Sequence, residues 1–414
     1  MSMFGLIGIS WFLISLSLIC FILLFSIGIS NFISYSVFSG YFLFDSISFY
    51  LILLVIILGI CSNVIYINEF SSLTRLLLFF SIIFSMLCFC VNHSVIFWCL
   101  YELSMLPLLC LLFMDSPYSE RFLAGWYFSA YLLVTSLPLI LILLYLSFIN
   151  DSFFFNEWNY GSYGVFLFLS FVFFTKIPLV PFHTWLPIVH AEATSIVSIF
   201  LSGYIMKLGL LGVYRCVCCI FNCGIFYYLF ICCLCSILFI VVACSELDGK
   251  RWLAFLSLSH IVVSFLGFFI GDWVGISVSF FYCLGHGLSA GIVFGLLWCF
   301  YDICNSRNWL VLKSSVSGDV LFIMVILSLL SLCSFPFTIQ FFCEVNLIKY
   351  SFGVLFYILF WVLYLFFGGL VPLVLCGHLF IRSEFYDFGF NSNFYHYYFL
   401  SIISLWCYCG ALFL

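Results

Sequence analysis

Apolar runs long enough to cross a bilayer recur along almost the whole sequence, and charged residues are scarce. Hydrophobic residues make up 67% of the 414 residues and charged residues only 7%, whereas a soluble domain carries about 25% charged residues. Such a chain cannot cover a globular surface with polar groups, so lipid surrounds most of its exterior. The sequence therefore predicts an all-α, polytopic membrane bundle, because helices satisfy their own backbone polar groups within lipid.

Runs of spanning length define about thirteen predicted transmembrane helices. They cover residues 4–33, 47–67, 73–91, 94–114, 122–149, 163–182, 191–214, 225–244, 251–270, 273–301, 319–348, 352–381 and 395–414. The loops between them are short and leave no room for a soluble domain. The net charge is −5, and it comes from few charged residues, so the chain lacks the basic surface of a nucleic-acid-binding protein.

Lysine and arginine fall mainly on one side when these spans alternate across the membrane. That side is the side of the N-terminus, and its loops hold Arg75, Arg121, Lys250, Arg251, Arg307, Lys313 and Arg382. The opposite loops hold Arg215, with Lys349 near a helix end. The asymmetry agrees with the positive-inside rule and supports the count of thirteen, because a wrong count would scramble it.

Two predicted spans contain prolines that interrupt a helix. The sixth has Pro178 and Pro181 beside Lys176, and the eleventh has Pro336 before Glu344. When spans 3–7 and 8–12 are grouped, the broken helix is fourth in each set of five, and the second set starts from the opposite side. This order predicts an inverted five-helix repeat of the kind found in many transporters. Two unrelated proline kinks are the alternative.

Ionisable side chains inside the predicted helices are the main functional candidates. They are Glu102, Lys176, Lys207, His260, His286 and Glu344. A charge at a helix centre costs about 2.5–3.5 kcal/mol on insertion scales, so such groups usually pair or line a hydrated path. We expect Glu102 and Lys176 to pair across spans 4 and 6, and the other four to continue a row of titratable groups that carries protons. The alternative is structural: a pair that fixes helix register and histidines bonded to neighbours.

The remaining histidines and cysteines are expected to serve structure. His183 and His190 lie at loop edges and are predicted to cap helices, whereas His93, His378 and His396 are predicted to be interfacial. Two Cys-x-x-Cys patterns, at residues 216–219 and 232–235, are ascribed to the abundance of cysteine rather than to zinc. No phosphate loop, dinucleotide fingerprint or haem pattern stands out, so no metal or cofactor is expected on this chain.

One segment closely resembles the signature of the antiporter-like subunits of respiratory complex I. It is KIPLVPFHTWLPIVHAEATSIVSIFLSGYIMKLGLLGVYR, from Lys176 to Arg215. The signature consists of a Lys-x-Pro break, His-x-Trp-Leu-Pro, Ala-His-x-Glu-Ala and a Leu-Lys-x-Gly helix that ends in arginine. Further matches are FDSISFY, YELSMLP, LSHIVVSFLG, LGHGLSAGIVF and YDICNSR, so the resemblance covers most of the chain.

The resemblance implies a fold of fourteen helices and a function in proton translocation, driven by NADH oxidation by quinone elsewhere in the complex. It implies that Glu102 is the acidic partner that modulates Lys176, the proton-loading lysine. Lys207, His260 and His286 would then be central relay groups. Glu344 would be the terminal group toward the outlet, and it matches one branch of the family, since the paralogous subunits 2 and 5 typically carry lysine there.

The same resemblance implies a setting for the chain. NADH, FMN, iron–sulfur clusters and ubiquinone would bind to other subunits, and the neighbours would be subunits 2 and 5, accessory subunits and lipids. The location would be the mitochondrial inner membrane, with the N-terminus on the matrix side. We expect N-terminal helices in 1–70, five-helix repeats in 71–216 and 217–385, and a C-terminal helix in 386–414.

Three features depart from the family pattern. The break before Glu344 lacks the usual Pro-x-x-Gly richness and keeps only Pro336. Residues 194–197 read Thr-Ser-Ile-Val where the family usually has Pro-x-Ala-Gly, and one long N-terminal span stands where the family has two. Two other functions stay open on the sequence alone: a stand-alone cation/proton antiporter of the same fold, and a structural subunit that has lost transport. The retained buried charges argue against the structural subunit, because neutral residues would be less costly inside the membrane.

Overall fold

The computed structural model is a bundle of helices of membrane-spanning length. It describes residues 37–66, 69–217, 223–270, 273–313, 319–380 and 394–410. Within these ranges, nine helical segments are long and apolar enough to cross a membrane, and one of them, Ser195–Val217, includes a π-helical turn. Two shorter apolar helices belong to the broken spans. The all-helical membrane class is therefore confirmed. The predicted span 4–33 and Arg382 lie outside the described residues.

The helices follow the predicted spans closely. The first group comprises α1 (Ser46–Ile65), α2 (Ser72–Cys90), α3 (Ser94–Asp115), α4 (Arg121–Ile149), α5 (Tyr163–Lys176), α6 (Trp185–Glu192), α7 (Ser195–Phe200) and α8 (Met206–Val217). A π-helical turn, Leu201–Ile205, joins α7 to α8, and a 3₁₀ turn covers Phe155–Glu157. The second group comprises α9 (Cys223–Ser245), α10 (Gly249–Ile270), α11 (Trp273–Cys304), α12 (Trp309–Leu312), α13 (Asp319–Leu332), α14 (Ile339–Ser351), α15 (Leu355–Phe380) and α16 (Phe394–Cys409).

A short β-hairpin precedes α1 and is not part of the all-helical prediction. Strand β1 (Val37–Ser39) pairs antiparallel with β2 (Phe42–Phe44), and Gly40 is the first residue of the two-residue turn between them. The hairpin also contacts the α2–α3 connection through a bridge between Phe42 and Val91.

Both proline-bearing spans are broken, as predicted. Helix α5 ends at Lys176 and α6 begins at Trp185, so the predicted span 163–182 is not one continuous helix. Proline offers no backbone N–H, and Pro178 ends the run of helical hydrogen bonds there. Helix α14 begins after Pro336, with the Thr338 side chain accepting a hydrogen bond from the backbone of residue 341. Each break is fourth in its set of five, while the division at residues 71, 217 and 386 remains a prediction.

The C-terminus of α6 is fixed by side chains from three other connections. The carbonyl of residue 191 accepts a hydrogen bond from Arg307, and the carbonyl of residue 192 accepts one from Ser116 at 2.5 Å. The carbonyl of residue 193 accepts one from Lys250 at 2.7 Å. The last carbonyls of a helix lack partners within the helix, and cations are favoured at this end. The sequence predicts a loop position for Lys250, but this residue is only 2% exposed because its ammonium reaches this helix end.

An aromatic ring completes this contact. The Tyr118 ring lies 4.1 Å from the Arg307 guanidinium carbon and 5.2 Å from the Lys250 ammonium nitrogen, so both cations face its π surface. Burial raises the pKa of the Tyr118 phenol, which keeps the ring neutral at physiological pH. The α6 end is therefore held by groups from both sets of helices.

Lys250→Ala is expected to reduce the thermal stability of the folded chain in detergent-solubilised membranes. The substitution leaves the carbonyl of residue 193 buried without a partner, which costs about 1–3 kcal/mol. Arg251→Ala is the matched control, since this neighbouring residue is only partly buried. The check is the unfolding midpoint of each variant. Equal midpoints for the two variants would contradict the stabilising role of Lys250.

Candidate functional site

The structure brings Glu102 and Lys176 together between α3 and the end of α5. The Lys176 ammonium nitrogen lies 3.1 Å from a Glu102 carboxylate oxygen, and the lysine side chain is fully buried. The same nitrogen donates to the Leu132 carbonyl at 3.3 Å and lies 4.4 Å from the centre of the Tyr101 ring. The lysine stands at the helix break, where the chain leaves regular geometry. A buried charge pair thus lies at the first discontinuity.

Lys207 lies immediately after the π-helical turn and is fully buried. Its ammonium donates a hydrogen bond to the carbonyl of Ser202 within that turn. No ion pair joins it to a carboxylate in the part of the chain that the structure describes. Isolated π turns occur frequently at functional sites, and here the turn supplies the partner of a buried cation.

His260 and His286 face each other between α10 and α11, with ring centres 5.1 Å apart. Glycines flank His286 on both sides, which lets α11 approach its neighbours closely. A Cβ atom on Gly285 would lie 3.1 Å from the α14 backbone at Gln340, and one on Gly287 would lie 3.0 Å from the π-turn carbonyl of residue 203. The Gly-His-Gly sequence therefore places His286 between the second broken helix and the turn that precedes Lys207.

Glu344 lies in α14, just after the second break, and only 1% of it is exposed. Its Oε1 accepts hydrogen bonds from the Ser334 hydroxyl at 2.8 Å and from the Tyr282 hydroxyl at 3.4 Å. Tyr282 and Tyr364 also contact the Nδ1 atom of His260. Nothing in the sequence singles out these two tyrosines, since the chain has 25 tyrosines and phenols are uncharged.

Several buried polar atoms in this region have no hydrogen-bond partner among the described residues. They are both ring nitrogens of His286, both side-chain amide atoms of Gln340 and Oε2 of Glu344. Buried polar atoms are nearly always bonded to protein or to ordered water. Unpaired polar atoms of this kind are expected where side chains line a water-filled path through the membrane. Gln340, an uncharged residue that the sequence does not distinguish, therefore belongs with the candidate residues.

Two of the other histidines contradict their predicted positions. His190 is predicted to cap a helix, but it is fully buried, and its ring centre lies 4.9 Å from that of Phe294. His396 is predicted to be interfacial, but it is 3% exposed and bonds to the Tyr66 hydroxyl at 2.9 Å and to Asp302 at 2.8 Å. In both cases tertiary packing, rather than local sequence, decides the burial.

Capping is instead found at a histidine predicted to be interfacial. The Nδ1 atom of His93 accepts a hydrogen bond from the backbone N–H of Ile96 at 3.4 Å, at the start of α3. His183 precedes α6, whose N-cap residue is Thr184 and makes no side-chain cap bond. Among the histidines of the described ranges, His93 is therefore the one that caps a helix.

A second ion pair, not predicted from sequence, joins the start of α1 to the end of α8. Asp45 caps α1 by accepting a hydrogen bond from the Ser48 backbone at 2.8 Å, and Arg215 lies 3.4 Å from the same carboxylate. Arg215 also donates to the carbonyl of Phe89. The Asp-x-x-Ser capping signature is visible in the sequence, but the distant arginine partner is not.

Nothing among the described residues resembles a metal site. No group of three or more His, Cys, Asp or Glu side chains in those ranges is arranged to hold an ion. Of the two Cys-x-x-Cys patterns, Cys219 lies outside the described residues, while Cys232 and Cys235 lie on α9 as free thiols. The chemistry that the site supports is proton exchange between buried carboxylate, ammonium, imidazole and hydroxyl groups.

Comparison with known proteins agrees with this fold. Residues 91–370 match the family described as NADH:quinone oxidoreductase/Mrp antiporter, transmembrane. The chain is 30% identical over 332 residues to NADH-ubiquinone oxidoreductase chain 4 of Locusta migratoria, a match that covers 75% of this chain and 73% of that protein. It is 29% identical over 336 residues to chain 4 of Rhipicephalus sanguineus, which covers 76% and 75% of the two chains.

Solved structures show the same fold. A chain of respiratory complex I from Thermus thermophilus superposes with a TM-score of 0.76 at 20% identity, covering 89% of this chain and 82% of that one. A chain of the Mrp complex from a Dietzia species superposes with a TM-score of 0.71 at 15% identity, covering 82% and 65%. The chain belongs to the NADH:quinone oxidoreductase/Mrp antiporter family of membrane proteins. Within that family, the relatives named above are chain 4 proteins of NADH-ubiquinone oxidoreductase.

Proposed function

We propose that this chain is a proton-translocating subunit in the membrane arm of NADH:ubiquinone oxidoreductase. The observation that carries the proposal is the buried pair of Glu102 and Lys176 at a helix break, with Lys207, His260 and Glu344 buried farther along the bundle. Buried titratable groups are costly in a membrane and are usually kept for ion or proton movement. The chain 4 relatives supply the reaction, electron transfer from NADH to ubiquinone, to which this movement is coupled.

The pair of Glu102 and Lys176 explains how a proton is loaded and released. A nearby carboxylate favours the charged form of a lysine, whereas an apolar surrounding favours the neutral form. A small increase in the 3.1 Å separation therefore favours release of the Lys176 proton. Lys207 and the two histidines receive it, and Glu344 hands it toward the outlet. Electron transfer elsewhere in the assembly would change the separation and so drive the cycle.

The setting follows from the same proposal. The chain contributes to an enzyme without holding a redox centre, so NADH, FMN, the iron–sulfur clusters and ubiquinone bind to other subunits. Its neighbours are the paralogous subunits 2 and 5, accessory subunits and lipids. The eukaryotic relatives support the mitochondrial inner membrane as its location. The excess of lysine and arginine in the loops on the side of the N-terminus supports a matrix-side N-terminus.

A stand-alone cation/proton antiporter is the second candidate, favoured by the likeness to a chain of the Mrp complex. Native electrophoresis of detergent-solubilised membranes separates the two functions. We expect the chain to migrate in a large assembly that oxidises NADH within the gel. Migration apart from all NADH-oxidising activity, together with NADH-independent exchange of sodium for protons in vesicles, would contradict the proposal and favour the antiporter.

A further inference from the structure

The hydroxyl groups of two tyrosines lie between the histidine pair and the terminal glutamate. Tyr364 OH is 2.5 Å from the Nδ1 atom of His260, and Tyr282 OH is 3.0 Å from the same atom. The two hydroxyl oxygens are 3.1 Å apart, and Tyr282 donates to Oε1 of Glu344 at 3.4 Å. Every one of these four residues is buried. We propose that the Tyr282 and Tyr364 hydroxyls form a proton-carrying bridge between His260 and Glu344.

The bridge rests on the proposed function and adds two residues to it. An imidazole Nδ1 atom has one hydrogen or one lone pair, so it bonds well with only one of the two hydroxyls at a time. A phenol hydroxyl donates one hydrogen and accepts others, so it can receive a proton on one side while it gives one on the other. These groups therefore form a continuous hydrogen-bonded path from His260 through Tyr364 and Tyr282 to Glu344.

The transfer step balances along this path. The step starts when His260 has received a proton and carries one on each ring nitrogen. The N–H bond of its Nδ1 atom then breaks as that proton bonds to the Tyr364 oxygen. The original Tyr364 proton passes to the Tyr282 oxygen, and the original Tyr282 proton passes to Oε1 of ionised Glu344. Each phenol ends with one proton, His260 ends neutral, and Glu344 ends protonated. Rotation of the two hydroxyls then restores the path for the next proton.

Packing fixes the Tyr364 ring, which the bridge requires. The Tyr364 ring stacks on Phe360, with centres 5.5 Å apart, and meets Trp361 edge-on at 5.8 Å. Tyr282 lies on α11, four residues before His286 and thus one turn away from it on the same face. A hydroxyl on a fixed ring stays within bonding distance of its partners, so losing it removes the path without emptying the core.

The test is the double variant Tyr282→Phe with Tyr364→Phe, studied as the assembled complex in sealed membrane vesicles. Both rings stay and only the two oxygens are lost. We expect the double variant to assemble and to reduce ferricyanide with NADH at the native rate, while NADH-driven proton transport falls at least about tenfold. Tyr357→Phe is the matched control, since this residue is also buried on α15, two turns before Tyr364, and lies outside the bridge.

Each single variant keeps one hydroxyl near His260, so it should pump faster than the double variant and show a larger solvent deuterium isotope effect than the native protein. These single variants also serve if the double variant does not assemble: an unchanged isotope effect in both would overturn the bridge. A double variant that assembles and moves the native number of protons per NADH would overturn it too. Lys207→Met separates failure of the bridge from failure of the proposed function. If Lys207→Met stops pumping and the double tyrosine variant pumps at the native rate, the bridge is rejected and the proposed function stands.

Discussion

Replacement of Lys176 by alanine is expected to abolish both NADH-driven proton transport and the quinone reduction coupled to it. The ammonium group is the only buried cation beside Glu102 among the described residues, at 3.1 Å, so no other described group can load a proton there. We expect a loss of at least about a hundredfold in transport, the lower end of the range for removal of a group that transfers a proton. The measurement is proton uptake by sealed vesicles that carry the assembled complex.

The stability of this variant needs its own control. Removal of Lys176 leaves the Glu102 carboxylate buried without its partner, which costs about 3–5 kcal/mol. The combined variant Lys176→Ala with Glu102→Gln removes both charges and should recover the assembled amount seen on a native gel, but not proton transport. If the combined variant pumps at the native rate, the pair serves only to hold α3 against α5, and the structural interpretation is correct.

Replacement of Glu344 by glutamine is expected to stop transport while leaving the structure intact. The glutamine oxygen still accepts from Ser334 and Tyr282, but an amide cannot take up the proton that arrives from His260. We expect transport to fall at least about tenfold at a native level of assembly. Proton movement per NADH oxidised is the quantity to measure.

A surface carboxylate supplies the control for this second variant. Glu120 is exposed at the start of α4 and makes no side-chain cap bond, so Glu120→Gln removes the same charge without touching the buried row. Transport should be unaffected by it. Native transport in the Glu344→Gln variant would exclude Glu344 as a proton carrier and would move the outlet to another part of the chain.

The features that could be predicted from sequence are those that carry a large free-energy penalty in lipid. A charge inside an apolar run has few stable solutions, which is why the pairing of Glu102 with Lys176 follows from the sequence alone. Proline has no backbone N–H, so it removes a helical hydrogen bond that lipid cannot replace, and the prolines indicate the positions of both breaks. In each case the free-energy penalty depends on the residue type, so it can be recognised wherever that residue occurs in an apolar run.

The features that sequence does not reveal depend on distant partners. Lys250 resembles a loop residue in sequence because its target, the end of α6, lies 57 residues earlier in the chain. His396 resembles an interfacial residue because Tyr66 and Asp302 bury it only in the folded bundle. Tyr282 does not stand out because a phenol carries no charge and costs little in a membrane. Uncharged relay groups and helix-end contacts therefore require three-dimensional structure.

The most direct test of the central claim, that protons cross the membrane through this row of buried groups, is the number of protons moved per NADH oxidised by the Lys207→Met complex. Lys207 is fully buried, and its one hydrogen bond within the described ranges is to a π-turn carbonyl, so methionine, an uncharged side chain of similar length, removes a costly buried charge while it fills the same space. The assembled amount on a native gel shows whether a loss of transport is separate from unfolding. We predict full assembly with a lower proton number per NADH than in the native complex. A native proton number in the assembled variant would contradict the account.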